Sequence, residues 1–186
     1  MTGTAPGVRG VVVMGVAGSG KSTVGTLLAA RLGLRFVDAD DLHPPANVAK
    51  MSAGTPLTDD DRRPWLARVG DVLRTGAETG APVVVACSAL RRAYRDALRR
   101  GAGGDVAFAH LHGDRDLLAR RIAARADHFM PPALLDSQLA TLEALGADET
   151  GVVVDVDRSP DRAVDVVVGR FPGLSPAPSD AVSPRG

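Results

Sequence analysis

The chain has 186 residues, of which 45% are hydrophobic and 24% charged, and its 22 basic groups balance 22 acidic ones. This length suits one well-buried domain, and a neutral chain without a basic block lacks the charge expected for nucleic-acid binding. No apolar run approaches the ~18 residues of a membrane span, and residues 1–10 lack the apolar core of a signal peptide, so a cytoplasmic location is expected. Cys87 is the only cysteine, which excludes an internal disulfide.

The first informative segment follows an apolar run at residues 11–14. Residues 15–22 read Gly-Val-Ala-Gly-Ser-Gly-Lys-Ser, which matches the phosphate-binding loop (P-loop) pattern of a glycine, four free positions and Gly-Lys-Ser. Glycines let the backbone N–H groups turn toward phosphate oxygens, and a helix predicted from Lys21 points its positive end at the same anion. Lys21 is expected to reach the β and γ phosphates, and the Ser22 hydroxyl is expected to hold Mg²⁺. The residues predicted to contact ATP here are Gly15, Ala17, Gly18, Ser19, Gly20, Lys21, Ser22 and Thr23.

Five β-rich runs alternate with helical segments along the chain, which predicts an α/β fold with a parallel sheet. The predicted strands are residues 11–16, 35–37, 83–87, 106–111 and 152–156. The predicted helices are residues 21–32, 47–51, 60–76, 90–100, 114–124, 132–145 and 160–169. The runs that contain Val11, Val83 and Val152 are continuously apolar, as expected of strands covered on both faces. Ligands bind beyond the carboxyl ends of such strands, so residues 15–22, residues 38–43 and Ser88 should meet in one crevice.

An acidic turn follows the second predicted strand, with Asp38, Asp40, Asp41 and His43 in close succession. Phosphoryl transfer needs metal-bound phosphates and a group that takes the proton of the acceptor hydroxyl. Asp38 and Asp40 lie two residues apart and point the same way on an extended stretch, so we assign Asp38 to indirect support of Mg²⁺ and Asp40 to the base. The competing interpretation is that these carboxylates only cap the next helix.

Arginines at the end of the fifth predicted helix suggest a lid over residues 120–132. Arg121 and Arg125 are four residues apart and therefore share a helix face. In a small kinase such arginines would close over the polyphosphate, neutralise its charge and exclude water, so both are expected to contact ATP and Arg125 to act in catalysis. A solvated basic helix face would give the same spacing.

The composition changes near the end of the chain. Residues 172–186 are rich in proline, serine, alanine and glycine, which predicts a disordered tail without catalytic function after a single domain at residues 1–171. Deleting residues 174–186 is therefore expected to leave both melting temperature and activity unchanged.

Taken together, these segments resemble the gluconate kinases, a branch of the P-loop kinases related to shikimate kinase. The resemblance spans about residues 11–170. Its most specific parts are the His-Pro of residues 43–44 and the Asp-Asp-Asp-Arg-Arg-Pro-Trp of residues 59–65, which shikimate kinases lack. It also includes the Cys-Ser-Ala-Leu-Arg of residues 87–91, the His-Phe of residues 128–129 and the Gly-Ala-Asp-Glu of residues 146–149.

This resemblance implies a three-layer P-loop kinase fold, with a five-stranded parallel sheet flanked by helices and a helical lid. It implies transfer of the γ-phosphoryl group of ATP, with Mg²⁺, to the 6-hydroxyl of D-gluconate, and members are commonly homodimers. A linear polyhydroxy acid needs a cation for its carboxylate and hydrogen bonds for its hydroxyls. The residues expected to bind it are Asp40, His43, Lys50, Arg62, Arg91 and His128.

Other interpretations stay open at this point. The residues by themselves indicate only a kinase of a small hydroxyl compound, so shikimate or a nucleoside monophosphate is an alternative acceptor. A non-catalytic nucleotide switch and an ATPase without an acceptor are further alternatives. Lys50 has the competing interpretation of an ordinary surface lysine, and Trp65 is expected to pack in the core rather than bind a ligand.

Overall fold

The computed structural model describes residues 7–124 and 132–174. The strands are β1 (Gly10–Met14), β2 (Arg35–Asp38), β3 (Val83–Ala86), β4 (Ala107–His112) and β5 (Gly151–Asp155). The α-helices are α1 (Lys21–Leu32), α2 (Pro45–Ser52), α3 (Asp59–Glu78), α4 (Arg92–Ala102), α5 (Arg115–Ala123), α6 (Pro132–Thr141) and α7 (Pro160–Arg170), and a 3-10 helix covers Ala39–Leu42. Each predicted element is present, with ends that shift by up to four residues. None of these helices combines the length and apolar character needed to cross a membrane.

The five strands form one parallel sheet in the order β2-β3-β1-β4-β5. The predicted fold class is therefore confirmed. Strand β1 is central, with Val12 paired to Val85 of β3 on one side and to Phe108 of β4 on the other. Since all strands run the same way, the loops that follow β1, β2 and β3 lie along one edge of the sheet, where ligands of such folds bind.

Side chains of β1 alternate between two hydrophobic cores, one on each face of the sheet. Val11 and Val13 pack into a cluster with residues of α1 and α7, whereas Val12 and Met14 pack into a cluster with residues of α3 and α4. Every residue of β1 and of β3 is buried, as the continuous apolar runs predict. The sheet thus forms the middle of three layers and holds the loop after β1 rigidly.

The prediction that β5 is covered on both faces is wrong at one position. Val153 is 55% exposed, whereas the next residue, Val154, is buried. Strand β5 lies at the edge of the sheet, beyond β4, so helices need not cover its outer face. An apolar run shows that a strand is β-prone, but it carries no information on the place of that strand in the sheet.

Helix α3 begins where the sequence indicates. The Thr58 hydroxyl accepts a hydrogen bond from the backbone N–H of Asp61, and the Asp61 carboxylate accepts one from the backbone N–H of Thr58. This reciprocal capping box satisfies two backbone donors that would otherwise have no partner in the first turn. It also fixes the start of α3 beside the acidic turn, since Trp65 on the next turns of α3 reaches that turn.

The packed part of the chain extends past the predicted boundary at residue 171. Leu174 is 3% exposed and belongs to the core cluster on the α1 and α7 face, together with Phe171. Leu174 therefore packs against the domain, three residues beyond the predicted boundary. A leucine among prolines and small residues carried too weak a signal to reveal this contact, because burial of one side chain leaves no periodic pattern.

Candidate active site

The loop after β1 has the backbone conformation that phosphate binding requires. Gly15, Gly18 and Gly20 have φ angles of 147°, 77° and 91°, which glycine adopts without strain. A Cβ atom at Gly18 would lie 2.9 Å from the backbone oxygen of Leu118, so the loop also depends on glycine for close approach to α5. The loop leads directly into α1, whose first residue is Lys21.

The charged and polar side chains of this loop are suited to a polyphosphate. The Lys21 ammonium donates to the carbonyl oxygen of Val16 at 3.1 Å, which folds the side chain back along the loop. Ser19 is 1% exposed, and its hydroxyl oxygen has no hydrogen-bond partner within the described residues. A buried hydroxyl of this kind in a loop of backbone donors is suited to a bound anion. The loop therefore fits the phosphates of a nucleoside triphosphate.

The acidic turn lies against the P-loop, as the sequence predicts. The Ser22 hydroxyl donates to one carboxylate oxygen of Asp38 at 2.8 Å, and the other oxygen of Asp38 accepts from the backbone N–H of Asp40 at 3.1 Å. Trp65 anchors the turn, because its indole N–H donates to the carbonyl oxygen of Ala39 at 2.6 Å. Trp65 is 1% exposed, so its predicted place in the core is confirmed. The same carboxylate thus orients Ser22 and begins the turn that carries Asp40.

The surroundings of Asp40 suit a proton acceptor. Asp40 is open to solvent on one side, but the protein atoms packed around its carboxyl and the nearby charge of Asp38 raise the pKa of that carboxyl above its ordinary value, while Lys21 and His43 oppose the rise. A raised pKa makes a carboxylate a better acceptor for the proton of an alcohol, provided that it stays ionised at the working pH. The raised pKa of Asp40 and its position beside the P-loop together make it the strongest candidate for a general base in this crevice.

His43 is held rigidly between two neighbours. Its ring stacks on Trp65, with centroids 4.3 Å apart and planes 12° apart, and its Nδ1 lies 3.3 Å from the side-chain amide nitrogen of Asn47. Burial lowers the pKa of His43, although the charge of Asp40 opposes that shift. A neutral imidazole fixed in this way offers hydrogen bonds to uncharged groups such as hydroxyls.

The predicted acceptor cations lie close to carboxylates of the first turn of α3. Lys50 binds both carboxylate oxygens of Asp61, at 2.7 and 2.8 Å, and these bonds with those of Thr58 lower the pKa of Asp61 to about 2. Arg91 binds Asp59 at 3.0 Å. The pairing of Lys50 was not foreseen, because residues 50 and 61 belong to different helices whose relative orientation the sequence does not give.

Arg62 and Arg91 converge on one aromatic ring. Their guanidinium carbons lie 5.7 and 5.8 Å from the ring centroid of Tyr94, within the range of a cation–π contact. The Tyr94 hydroxyl in turn donates to Asp59 at 2.5 Å. Two arginines and one acid around a half-buried ring form a cationic patch, which we call the Tyr94 cluster (Asp59, Arg62, Arg91 and Tyr94).

A cleft of about 310 Å³ lies on the other side of the P-loop, and Thr23 lines it together with Arg121, Arg158 and Pro160. Arg121 donates to the carbonyl oxygen of Val156 at 2.6 Å, so its planar group is fixed at this cleft. Arg158 and Pro160 are not among the predicted site residues. They follow the carboxyl end of β5, the position at which ligands bind in parallel sheets, so their place after a strand is the sequence signal that points to them.

A buried ion pair supports the acceptor side from behind. Arg95 and Glu149 are both fully buried and make two hydrogen bonds, at 2.7 and 2.9 Å. Arg95 also donates to the carbonyl oxygens of Ala89 and Leu90, each at 3.3 Å. Ala89 has a φ angle of 42°, which is strained for a residue other than glycine. Arg95 therefore holds in place the segment that leads into Arg91.

Two predicted site residues, Arg125 and His128, lie outside the described residues, as does most of the predicted lid. The remaining predicted residues divide into three groups around the P-loop. The P-loop group is Gly15, Ala17, Gly18, Ser19, Gly20, Lys21, Ser22 and Thr23, the acceptor-side group is Asp38, Asp40, His43, Lys50, Arg62 and Arg91, and Arg121 stands alone at the cleft beyond Thr23.

Comparisons with known proteins identify the family of this chain. A family model described as an AAA domain matches residues 11–145. A gluconokinase of Gluconobacter oxydans (strain 621H) is 50% identical over 163 residues, which cover 88% of this chain and 91% of that protein. The crystal structure of a gluconokinase from Sinorhizobium meliloti 1021 superposes with a TM-score of 0.80 and 48% identity, covering 91% of this chain and 94% of that one.

A shikimate kinase from Aquifex aeolicus vf5 is far more distant, with a TM-score of 0.53 and 17% identity over 88% of this chain and 96% of that one. It shares the fold alone. The Gluconobacter protein, by contrast, is 50% identical over nearly its whole length, which shows a shared family as well as a shared fold. The chain therefore belongs to the gluconokinase family, as its acidic turn and the start of α3 had indicated.

Proposed function

We propose that this protein transfers the γ-phosphoryl group of ATP to the 6-hydroxyl of D-gluconate, giving 6-phospho-D-gluconate and ADP. The observation that carries the proposal is the hydrogen bond between Ser22 and Asp38. It joins the phosphate loop to the turn that bears Asp40, so a nucleotide-binding group and a candidate base face one crevice. Membership of the gluconokinase family supports gluconate as the acceptor.

The nucleotide binds along the P-loop in this proposal. Lys21 and the backbone N–H groups of the loop, other than that of Ala17, which is bound to Gln138, bind the β and γ phosphates, and the adenine lies in the cleft between Arg121 and Pro160. Arg125 remains a proposed phosphate contact and catalytic residue. The positive charge of its guanidinium would matter most in the transition state, when the transferred group passes between two oxygens.

The residues that fit Mg²⁺ are Ser22 and Asp38. Magnesium in kinase sites is held by few protein oxygens together with substrate phosphates and water, and a hydroxyl oriented by a carboxylate suits that pattern. When bound, Mg²⁺ neutralises charge on the β and γ phosphates. The hydrogen bond from Ser22 to Asp38 leaves the hydroxyl oxygen with lone pairs for the metal, so Asp38 acts on the ion indirectly.

The acceptor binds on the side of Asp40 that lies opposite the nucleotide. The 6-hydroxyl of gluconate donates its proton to Asp40 as its oxygen attacks the γ-phosphorus, and the bond to the leaving ADP breaks. The Tyr94 cluster receives the carboxylate end, with Arg62 as its main ligand, because Lys50 and Arg91 are already paired with Asp61 and Asp59. His43 binds hydroxyl groups of the chain, and His128 remains a proposed ligand.

An acceptor screen with coupled detection of ADP tests this proposal. ATP consumption should rise with D-gluconate and hardly with glucose, shikimate or AMP. Glucose lacks an anion for the arginines, and leaving such a charge without its partner costs enough for a preference of about 100-fold or more. Equal rates with glucose and gluconate would refute the substrate, a higher rate with shikimate would favour that alternative, and ADP formation indifferent to any acceptor would indicate an ATPase.

Two further properties are part of the proposal. One is a cytoplasmic location, which the metabolic class of the family supports and which cell fractionation tests. Homodimer formation rests on the resemblance to the family, and sedimentation of the purified protein at several concentrations measures it.

A further inference from the structure

Helix α6 is fixed in place by contacts on two sides. Leu135 is 1% exposed and packs into the core cluster of the α1 and α7 face. Asp136 forms a bidentate ion pair with Arg115 at the start of α5, at 2.6 and 2.9 Å. A side chain on the next turn of α6 is therefore presented from a rigid base rather than from a loop.

That next turn carries Gln138, which contacts the phosphate loop. Its side-chain oxygen accepts a hydrogen bond of 2.7 Å from the backbone N–H of Ala17, a residue 121 positions earlier in the chain. The contact is partly buried. Gln138 is thus a side chain from outside the P-loop motif that pairs with one backbone donor of that loop.

The segment that follows α6 contacts the acceptor side. The backbone N–H of Glu143 donates to the carbonyl oxygen of Leu90 at 2.8 Å, and the Glu143 carboxylate accepts from the backbone N–H of Arg92 at the start of α4. Arg91 of the Tyr94 cluster lies between these two residues. One short stretch, residues 138–143, therefore joins the phosphate loop to the loop that carries an acceptor cation.

We propose that Gln138 is a positioning residue for phosphoryl transfer that acts through Ala17. This inference rests on the proposed kinase function. Transfer demands that the donors of the P-loop hold the phosphates in a fixed direction, and small displacements of such groups reduce the rate strongly. Without the Gln138 oxygen, the partly buried N–H of Ala17 loses its partner and the loop loses its anchor to α6.

The chemistry of an amide suits this place. Gln138 accepts a hydrogen bond from Ala17 while remaining neutral, so it adds no negative charge next to a site for a polyphosphate. A glutamate would offer the same acceptor but would repel the phosphates. A comparison of glutamine with glutamate at position 138 therefore separates the effect of loop position on the rate from the effect of charge on phosphate binding.

Two variants and one control test the proposal. Gln138→Leu removes the acceptor at nearly constant volume and should lower kcat about tenfold, with the KM for gluconate changed less than about twofold. Gln138→Glu keeps the acceptor, so kcat should stay closer to the wild-type value while the KM for ATP rises several-fold. Ser137→Ala changes an exposed neighbour on the same helix and should match wild type in every constant.

Amide hydrogen exchange, followed by NMR at Ala17, reports on the contact without any turnover. Exchange at Ala17 should be faster in Gln138→Leu and unchanged in Gln138→Glu. A folded Gln138→Leu enzyme with a wild-type kcat, or with unchanged exchange at Ala17, would overturn the role of Gln138. Absence of gluconate-dependent ADP formation in the wild-type enzyme would instead refute the proposed function, so the two failures are distinguishable.

Discussion

The Ser22 hydroxyl lies 2.8 Å from a carboxylate oxygen of Asp38, and this hydrogen bond joins the first turn of α1 to the end of β2. Helix α1 follows β1, and β1 and β2 are not neighbours in the sheet, since β3 lies between them. The contact therefore bridges one strand and places Asp40 within electrostatic reach of Lys21. The acidic turn is thus bonded directly to the helix that follows the P-loop.

The pH dependence of turnover should report the ionisation of Asp40. The pKa of Asp40 is raised by burial and by Asp38, and a base must be ionised to act, so kcat should fall as the pH drops through a value above the ordinary one for aspartate. Asp38→Asn removes one cause of the rise and should move this acidic limb to lower pH, with a changed dependence on Mg²⁺. A pH-rate series on wild type and Asp38→Asn measures the position of the acidic limb.

Asp40→Asn should abolish most activity and leave ATP affinity nearly unchanged. Initial rates measure the first effect and a titration with ATP measures the second. Weaker ATP binding in Asp40→Asn would reverse the roles assigned to Asp38 and Asp40.

Arg62→Ala should raise the KM for gluconate by about 10- to 100-fold, because a hydrogen bond to a charged group contributes about 1.5–3 kcal/mol. Arg63→Ala is a matched control, since Arg63 is the neighbouring arginine, pairs with Asp60 and has a side chain that is 79% exposed. Lys50→Ala should affect gluconate less, because the Lys50 ammonium is already bound to Asp61. Steady-state kinetics with varied gluconate decide the matter, and a larger effect of Lys50→Ala than of Arg62→Ala would assign the carboxylate to Lys50.

Much of this site could be predicted from the sequence because its signals are local. The strand, glycine loop and helix around Lys21 are consecutive, and Thr58 and Asp61 form a cap within four residues. Contacts between distant segments could not be predicted in this way. The bond from Ala17 to Gln138 depends on how α6 packs, and no spacing rule joins residues so far apart.

The exposure of Val153 and the burial of Leu174 went unpredicted for the same physical reason. Whether a β-prone residue is buried depends on the order of strands in the sheet, and whether an isolated leucine docks depends on a gap left by other elements. Both are properties of the assembled fold rather than of the local sequence.

Gly101→Ala should destabilise the protein by about 1–3 kcal/mol, because an added methyl group overpacks a close contact. A Cβ atom at Gly101 of α4 would lie 2.8 Å from the Cα atom of Gly70 in α3, and backbone cannot move aside as a flexible side chain can. Gly169→Ala in α7 is the control, since a Cβ there meets no atom within 4 Å. That control should match or slightly exceed wild type in a thermal melt. Equal melting temperatures for both variants would show that α3 and α4 can move apart to admit the methyl group with no loss of stability.

Leu174→Ala should lower stability by about 2 kcal/mol and the melting temperature by about 4–8 °C, because a buried leucine side chain is lost from the core. A truncation that ends at Leu174 should melt at the wild-type temperature, as the composition of residues 175–186 predicts. Calorimetry on both proteins tests the two statements separately. A Leu174→Ala protein that melts like wild type would restore the boundary at residue 171.

Trp65 is the only tryptophan of the chain, and it stacks on His43 while holding Ala39 through its indole N–H. Its emission therefore arises from a single place in the molecule, beside the acidic turn that carries Asp40. Any ligand that moves His43 or the acidic turn changes the surroundings of that indole. The adenine of a nucleotide, by contrast, would lie in the cleft beside Thr23, on the far side of the P-loop. The unlabelled protein thus contains its own optical probe for acceptor binding, with which affinities for sugar acids can be titrated in the absence of ATP and of any chemistry.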